Sequence, residues 1–167
     1  DTDEKLRQHW KILRDKVERG NTKQQVLDAI ASRSTDAKKH IGPQKKYADI
    51  SFRYFSDDAY DIGDTDANPT IKLIVDISAT INLESFYSAL ENCNTMQYEY
   101  DYSEDLNTQK IIFMGTIKKK TVEEIANLCI VNIDELVQKN SVWEEDLRGI
   151  RQLFVMIVLS NHLKSAM

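Results

Sequence analysis

The segment Leu153-Phe154-Val155-Met156-Ile157-Val158-Leu159 places seven apolar residues in a row near the end of the chain. A helix on a protein surface is apolar along one stripe only, so a helix that is apolar nearly all round has to be enclosed. Ser141 and Glu144 have the spacing of a capping box, which predicts that this helix begins at 141. It is either a central element of its own domain or an element shared with a second subunit.

The apolar side chains of this last helix are the candidate contacts with a second copy of the chain. They are Trp143, Leu147, Ile150, Leu153, Phe154 and Ile157. An apolar stripe near the start of the chain predicts a helix over residues 3–19. This stripe is a further candidate surface for contact with another subunit. It consists of Leu6, Trp10, Leu13 and Val17, at spacings of four, three and four.

The remaining patterns predict an α+β fold in one domain, residues 1–167. A helical hairpin is expected over 1–32 and a C-terminal helical region over 121–167. Thr121 and Glu124 have the spacing of a second capping box, at the start of this C-terminal region. The sheet region, 49–118, is expected to hold strands at 49–55, 70–78, 96–102 and 109–118 and an inserted helix at 82–91. The four strands can all pair antiparallel, with the C-terminal helices packed on the sheet.

Composition limits the class of protein. The 167 residues are 41% apolar and 29% charged, with a net charge of −5, which is typical of a soluble globular protein. The negative charge argues against broad binding to nucleic acid or to anionic membranes. The apolar run at 153–159 is far shorter than the ~18 residues that a membrane span needs. Cys93 and Cys129 belong to no paired motif, which favours reduced thiols and an intracellular location, cytoplasmic or nuclear.

A row of tyrosines is the second candidate binding surface. Tyr98, Tyr100 and Tyr102 share one face of a predicted strand, and Glu99 and Asp101 share the other. Tyrosine rings suit a protein-binding face, and they equally suit a sheet face that helices half cover. The two carboxylates are candidates for a pair that performs acid–base chemistry, but nothing places a third group beside them, so a solvated face is the simpler interpretation.

Lysine clusters are the candidate contacts for phosphate groups. They are Lys38, Lys39, Lys45 and Lys46 in a basic connector, and Lys118, Lys119 and Lys120 after the last strand. Such residues on one face can bind a nucleic-acid backbone, and they also serve as ordinary solubilising surface.

The sequence contains no convincing metal or cofactor motif. The loop 56–68 is rich in aspartate, but Pro69 and Val75 stand where a calcium-binding EF-hand needs glycine and glutamate. The three histidines His9, His40 and His162 are far apart and are expected at the surface. No Walker loop, G-x-S-x-G or G-x-G-x-x-G occurs, so no cofactor and no resident metal are expected.

These observations favour a non-catalytic protein-interaction or scaffold domain that associates with itself through apolar helix faces. The alternative is a nucleic-acid-binding regulator that uses the lysine clusters. A third hypothesis is a small carboxylate-dependent enzyme. The expected partner is a protein, including a second copy of this chain, and the sequence does not identify it.

Overall fold

The structure is a computed structural model that describes residues 1–36, 39–40, 42–137 and 141–165. The helices in these ranges are α1 (Glu4–Arg19), α2 (Lys23–Asp36), α3 (Glu84–Leu90), α4 (Lys119–Cys129), α5 (Ile133–Leu136) and α6 (Asp146–Ser165). The strands are β1 (Ile50–Phe55), β2 (Lys72–Ser78), β3 (Met96–Tyr102) and β4 (Thr108–Gly115), and a short 3₁₀ helix spans Gly42–Tyr47. Among the described helices, none combines the length and the apolar character needed to cross a membrane.

The predicted α+β class is confirmed, with a four-stranded antiparallel sheet preceded and followed by helices. By its internal contacts the chain divides into two compact units, residues 1–71 and 72–167. The organisation as one domain stays a prediction.

The first unit contains the predicted helical hairpin. Ile12 of α1 packs against Val26 and Ile30 of α2, and all three side chains are buried. Asp3 caps α1, because its carboxylate accepts the backbone N–H groups of Lys5 and Leu6. Both helices of the predicted hairpin therefore form, and α2 continues to Asp36, four residues past the predicted end at 32.

The face that α1 buries differs from the predicted stripe. Val17 is 82% exposed and Trp10 is 42% exposed, so the 4-3-4 stripe is wrong as a packing face. The buried positions repeat every three residues, and they are Leu6, His9, Ile12 and Asp15. The apolar pattern missed this face because two of its four members are polar.

The second unit is built on strands in the order β2-β4-β3, all antiparallel. Val75 lies opposite Ile111 across β2 and β4, and Tyr98 lies opposite Phe113 across β3 and β4. Leu73, Val75 and Ile77 are buried on one face of β2, and Ile74 is buried on the other face.

Neither predicted capping box forms. α4 begins at Lys119, two residues before Thr121, and its N-terminus has no side-chain cap. α6 begins at Asp146 and not at 141. The N–H of Glu144 instead donates to the side-chain oxygen of Gln152 at 2.6 Å. A contact with the first turns of α6 therefore replaces the local box.

Candidate functional site

The end of α1 holds two arginines against one buried carboxylate. Arg14 Nε donates to Asp15 Oδ1 at 2.9 Å, and Arg14 Nη2 lies 2.8 Å from the same oxygen. Arg19 Nη1 approaches that oxygen to 3.6 Å. The Asp15 side chain is 4% exposed, whereas those of Arg14 and Arg19 are 49% and 60% exposed. The carboxylate thus orients two guanidinium groups that remain open to solvent.

The local sequence explains why the arginines lie at the helix end. Gly20 follows α1 with a φ of 66°, and its N–H donates to the backbone oxygen of Asp15. Glycine adopts this left-handed conformation without the penalty that a side chain imposes. Arg19 therefore occupies the last helical turn, where the helix dipole favours a positive charge.

The electrostatics keep Asp15 ionised. The hydrogen bond from Arg14 is the largest cause of a lowered pKa of the Asp15 carboxyl, and burial opposes it. The positive charges of Arg14, Arg19 and Lys11 lower the pKa further. Two guanidinium groups around one carboxylate leave one net positive charge. Their planar donors match the oxygens of a phosphate or carboxylate group. We call Arg14, Asp15 and Arg19 the arginine pair site.

Acid should weaken the folded state through Asp15. Its pKa is lower in the folded than in the unfolded chain, so the ionised carboxylate stabilises the fold above the ordinary value of about 4. This stabilisation is lost as the pH falls through the lowered folded-state value. Asp15→Asn should therefore lower the melting temperature at neutral pH and flatten its dependence on pH below about 5.

Circular dichroism melts at a series of pH values measure this effect. Glu18→Gln is the matched control, because Glu18 is an exposed carboxylate on the same helix. An Asp15→Asn variant that loses stability with acid as steeply as the natural chain would contradict the assignment.

A buried histidine on α1 is a second polar feature that the sequence interpretation missed. His9 is 1% exposed, so its predicted surface position is wrong, whereas His40 and His162 are exposed. His9 Nδ1 accepts the backbone N–H of Gly63 at 3.1 Å. The Tyr60 ring meets the His9 ring edge to face, with centroids 5.1 Å apart. The histidine therefore connects α1 to the aspartate-rich loop 56–68, which we call the acidic loop, within the first unit.

Lys5 also contacts Tyr60 and the loop that contains it. Its Nζ lies 3.8 Å from the centroid of the Tyr60 ring and donates to the backbone oxygen of Asp58 at 3.3 Å. Burial, and then the charges of Asp3 and Asp58, raise the pKa of the Tyr60 hydroxyl. Tyr60 therefore stays neutral, and the contact is one of a cation with an aromatic face.

A sequence signal for the arginine pair site does exist. Asp15 occupies a position on the face of α1 that packs inward, and arginines stand one residue before it and four residues after it. A carboxylate on a buried face needs a cationic partner, because an unpaired buried charge costs several kcal/mol. The sequence signal for the site is therefore the spacing of Asp15 from Arg14 and Arg19, and not an apolar pattern.

The side chains of the candidate self-association residues are buried. All six are between 0% and 8% exposed: Trp143, Leu147, Ile150, Leu153, Phe154 and Ile157. This is the burial expected of a central core helix, one of the two alternatives that the sequence left open. Trp143 precedes α6 and is buried beside it. Self-association stays a prediction, and solution mass from light scattering tests it.

The tyrosine row is partly covered by α3. Tyr87 of α3 stacks on Tyr98 and on Tyr100, each at 5.2 Å between ring centroids. Tyr100 and Tyr102 remain exposed, and Tyr98 is half-buried. Glu99 and Asp101 are exposed on the opposite face of β3, as their alternation predicts.

The lysine candidates divide between the two units. Lys39 and Lys46 are exposed in the first unit, and Lys46 Nζ lies 4.6 Å from the centroid of the Tyr47 ring. Lys118, Lys119 and Lys120 are exposed at the start of α4 in the second unit. Lys45 belongs to the 3₁₀ helix, and Lys38 lies outside the described residues. Their contact with phosphate groups stays a prediction.

The acidic loop lines a shallow cavity of about 520 Å³ that includes Asp58, Asp61, Asp64 and Asp66. Within the described ranges, no group of three or more histidine, cysteine, aspartate or glutamate side chains has an arrangement that could hold a metal ion. The carboxylates of this loop therefore carry no metal-site assignment.

Comparison with known proteins relates the first part of the chain to kinases. The family model described as the phosphoribulokinase / uridine kinase family matches residues 1–60, the segment that contains the arginine pair site. The chain is also 44% identical over 50 residues to a phosphoribulokinase of Synechocystis sp.. That alignment covers 30% of this chain and 15% of the relative, so the chain matches only a small part of the length of that protein.

These matches contradict the functional interpretation drawn from the sequence. The prediction of a non-catalytic scaffold, regulatory or protein-interaction domain is wrong, because the family that matches is one of catalytic kinases. The two alternative hypotheses, a nucleic-acid-binding regulator and a small carboxylate-dependent enzyme, are also wrong, because neither predicted a kinase. The sequence contains no Walker loop, the motif that would have indicated a kinase.

Proposed function

We propose that this chain is part of a small-molecule kinase related to the phosphoribulokinase / uridine kinase family, and that Arg14 and Arg19 contact phosphate oxygens. The observation that carries the proposal is the position of the arginine pair site inside the matched segment 1–60. This segment contains 13 lysines and arginines against 10 aspartates and glutamates, a net charge of +3. The rest of the chain has 9 against 17, a net charge of −8.

The chemistry of phosphoryl transfer supports a role for fixed guanidinium groups. The transferred phosphoryl group spreads negative charge over its oxygens, and catalysis depends on positioned cations and hydrogen-bond donors. Asp15 holds Arg14 and Arg19 in place before a substrate arrives, which reduces the ordering cost on binding. The 167 residues contain no G-x-x-x-x-G-K followed by Ser or Thr. The proposal therefore assigns the arginine contacts to this chain, and not the phosphate-cradling loop.

The test is a kinase assay on the complete protein that contains this chain. ATP-dependent phosphorylation should be measured with phosphoribulose and with uridine, the compounds after which the two kinases of the family description are named. Arg14→Ala and Arg19→Ala should each lower kcat/KM by about tenfold to a hundredfold, because a hydrogen bond to a charged group contributes about 1.5–3 kcal/mol.

Lys16→Ala is the matched control. Lys16 is an exposed cation on the same helix, and its removal leaves both arginines in place. We expect its activity to remain within about twofold of the natural protein. Turnover of neither substrate, or an equal effect of all three variants, would contradict the proposal.

We also propose an intracellular, cytoplasmic location. Cys93 and Cys129 are both free thiols, which is typical of proteins from reducing compartments. Fractionation of cells, followed by detection of the protein with an antibody, tests this location.

A further inference from the structure

A corner of aromatic rings lies in the second unit, away from the arginine pair site in sequence. Tyr100 and Tyr102 are successive residues on one face of β3, and their rings are nearly perpendicular, at 87°, with centroids 6.3 Å apart. Tyr100 is 55% exposed and Tyr102 is 46% exposed. Two perpendicular rings that are each about half open to solvent form two walls of a binding corner.

Tyr87 and Gln109 support one side of this corner. Tyr87 of α3 stacks on Tyr100 at 5.2 Å, with 23° between the ring planes. The Tyr87 hydroxyl donates to Gln109 Oε1 at 3.4 Å, and Gln109 Nε2 donates to the backbone oxygen of Ile81 at 3.1 Å. Gln109 is 4% exposed and lies opposite Tyr102 in the β3–β4 ladder. The Tyr100 ring is therefore supported from one side before any ligand binds.

The cleft in front of these rings has the charge and size for a small cation. Its volume is about 620 Å³, which is within the usual range for small-molecule sites. The residues that line it include Glu84 and Glu91 and no lysine, arginine or histidine. The chain beyond residue 60 has a net charge of −8, which also favours a positive ligand.

The aromatic walls select the kind of cation. A hydrated metal ion requires several oxygen ligands, and among the described residues no cluster of three potential metal-binding side chains exists. Alkylammonium and guanidinium groups shed water more easily, and the faces of tyrosine rings attract them. Tyrosine cages with nearby carboxylates suit such groups, because the rings contact the apolar surface of the cation and the carboxylates balance its charge.

We propose that this corner binds an organic cation, an alkylammonium or guanidinium group placed between Tyr100 and Tyr102 beside Glu84 and Glu91. The proposal does not depend on the kinase function. It rests on the ring geometry, the exposure of the two tyrosines and the carboxylates of the cleft.

Titration of the whole chain with tetramethylammonium chloride tests the site, with chemical shifts of the tyrosine ring protons as the readout. Sodium chloride at equal ionic strength is the salt control. We expect saturable shifts at Tyr100 and Tyr102. Tyr100→Ala and Tyr102→Ala should each weaken binding by about threefold to fivefold, which matches the energy of a partly exposed cation–π contact.

Three further measurements make the result decisive. Tyr102→Phe should retain binding, because the ring face remains. Tyr47→Ala should also leave binding unchanged, since Tyr47 is an exposed tyrosine of the first unit. The uncharged molecule tert-butanol, which resembles tetramethylammonium in shape, should not bind. No saturation with tetramethylammonium, equal binding of tert-butanol, or unchanged affinity in both alanine variants would overturn the proposal.

A second titration identifies the source of the cation. A short peptide containing one arginine should be compared with free arginine amide. Tighter binding of the peptide by about tenfold or more would indicate a side chain of a partner protein. Equal affinities would indicate a free small molecule. Failure of both arginine probes together with tetramethylammonium would exclude a cation site.

Discussion

Replacing Phe154 with alanine should lower the free energy of unfolding by about 3–5 kcal/mol, the usual cost of removing a large aromatic side chain from a packed core. Phe154 is 0% exposed and belongs to a cluster of three rings. Its centroid lies 4.9 Å from that of Phe86 on α3 and 5.6 Å from that of Phe113 on β4. The truncation would leave a cavity where α3, β4 and α6 meet, because Phe86 and Phe113 would each lose a packed ring.

The adjacent residue supplies the control for this prediction. Val155 follows Phe154 on α6 but is 39% exposed, so Val155→Ala should cost less than about 1 kcal/mol. Urea denaturation followed by circular dichroism measures both variants. Equal losses for the two substitutions would show that α6 is not buried in the manner described.

The same experiment separates an internal helix from a shared one. If the contacts of Phe154 are made within one chain, the loss should not depend on protein concentration. A loss that grows on dilution would instead indicate that a second subunit contributes to this core, because dissociation then contributes to unfolding.

Much of the fold was predictable from apolar periodicity. β2 and β3 lie within two residues of their predicted bounds, because successive side chains of a strand point to opposite faces and give the sequence a period of two. The helix ends were harder to predict. The capping boxes at Thr121 and Ser141 are local patterns, and tertiary contacts such as the bond from Glu144 N–H to Gln152 replaced one of them.

The candidate site was not predictable from apolar patterns at all. His9 and Asp15 lie on the buried face of α1, and each is stabilised there by a specific partner, Gly63 for the histidine and Arg14 for the aspartate. Because both residues are polar, hydrophobicity alone predicts that they lie on the surface. The first 60 residues also carry no glycine-rich phosphate loop, so the relation to kinases was visible only by comparison with other sequences.

Gly115 is the second position where one added methyl group should have a large effect. It ends β4 with a φ of 112°, a conformation that residues with a side chain rarely adopt. A Cβ atom at this position would lie 2.2 Å from the backbone oxygen of Thr95. That oxygen also accepts the N–H of Thr116 at 2.9 Å, so it cannot move away without losing a hydrogen bond.

We therefore expect Gly115→Ala to lower the free energy of unfolding by about 3–4 kcal/mol, as the sum of backbone strain and steric overlap. Gly20 is the matched control. It also has a positive φ, 66°, but a Cβ there would meet nothing within 4 Å. Gly20→Ala should cost only the left-handed conformation, about 1 kcal/mol. Thermal and urea unfolding of the two variants measure the difference. If both substitutions cost the same, the close approach of β4 to Thr95 contributes nothing, and conformation alone requires glycine at 115.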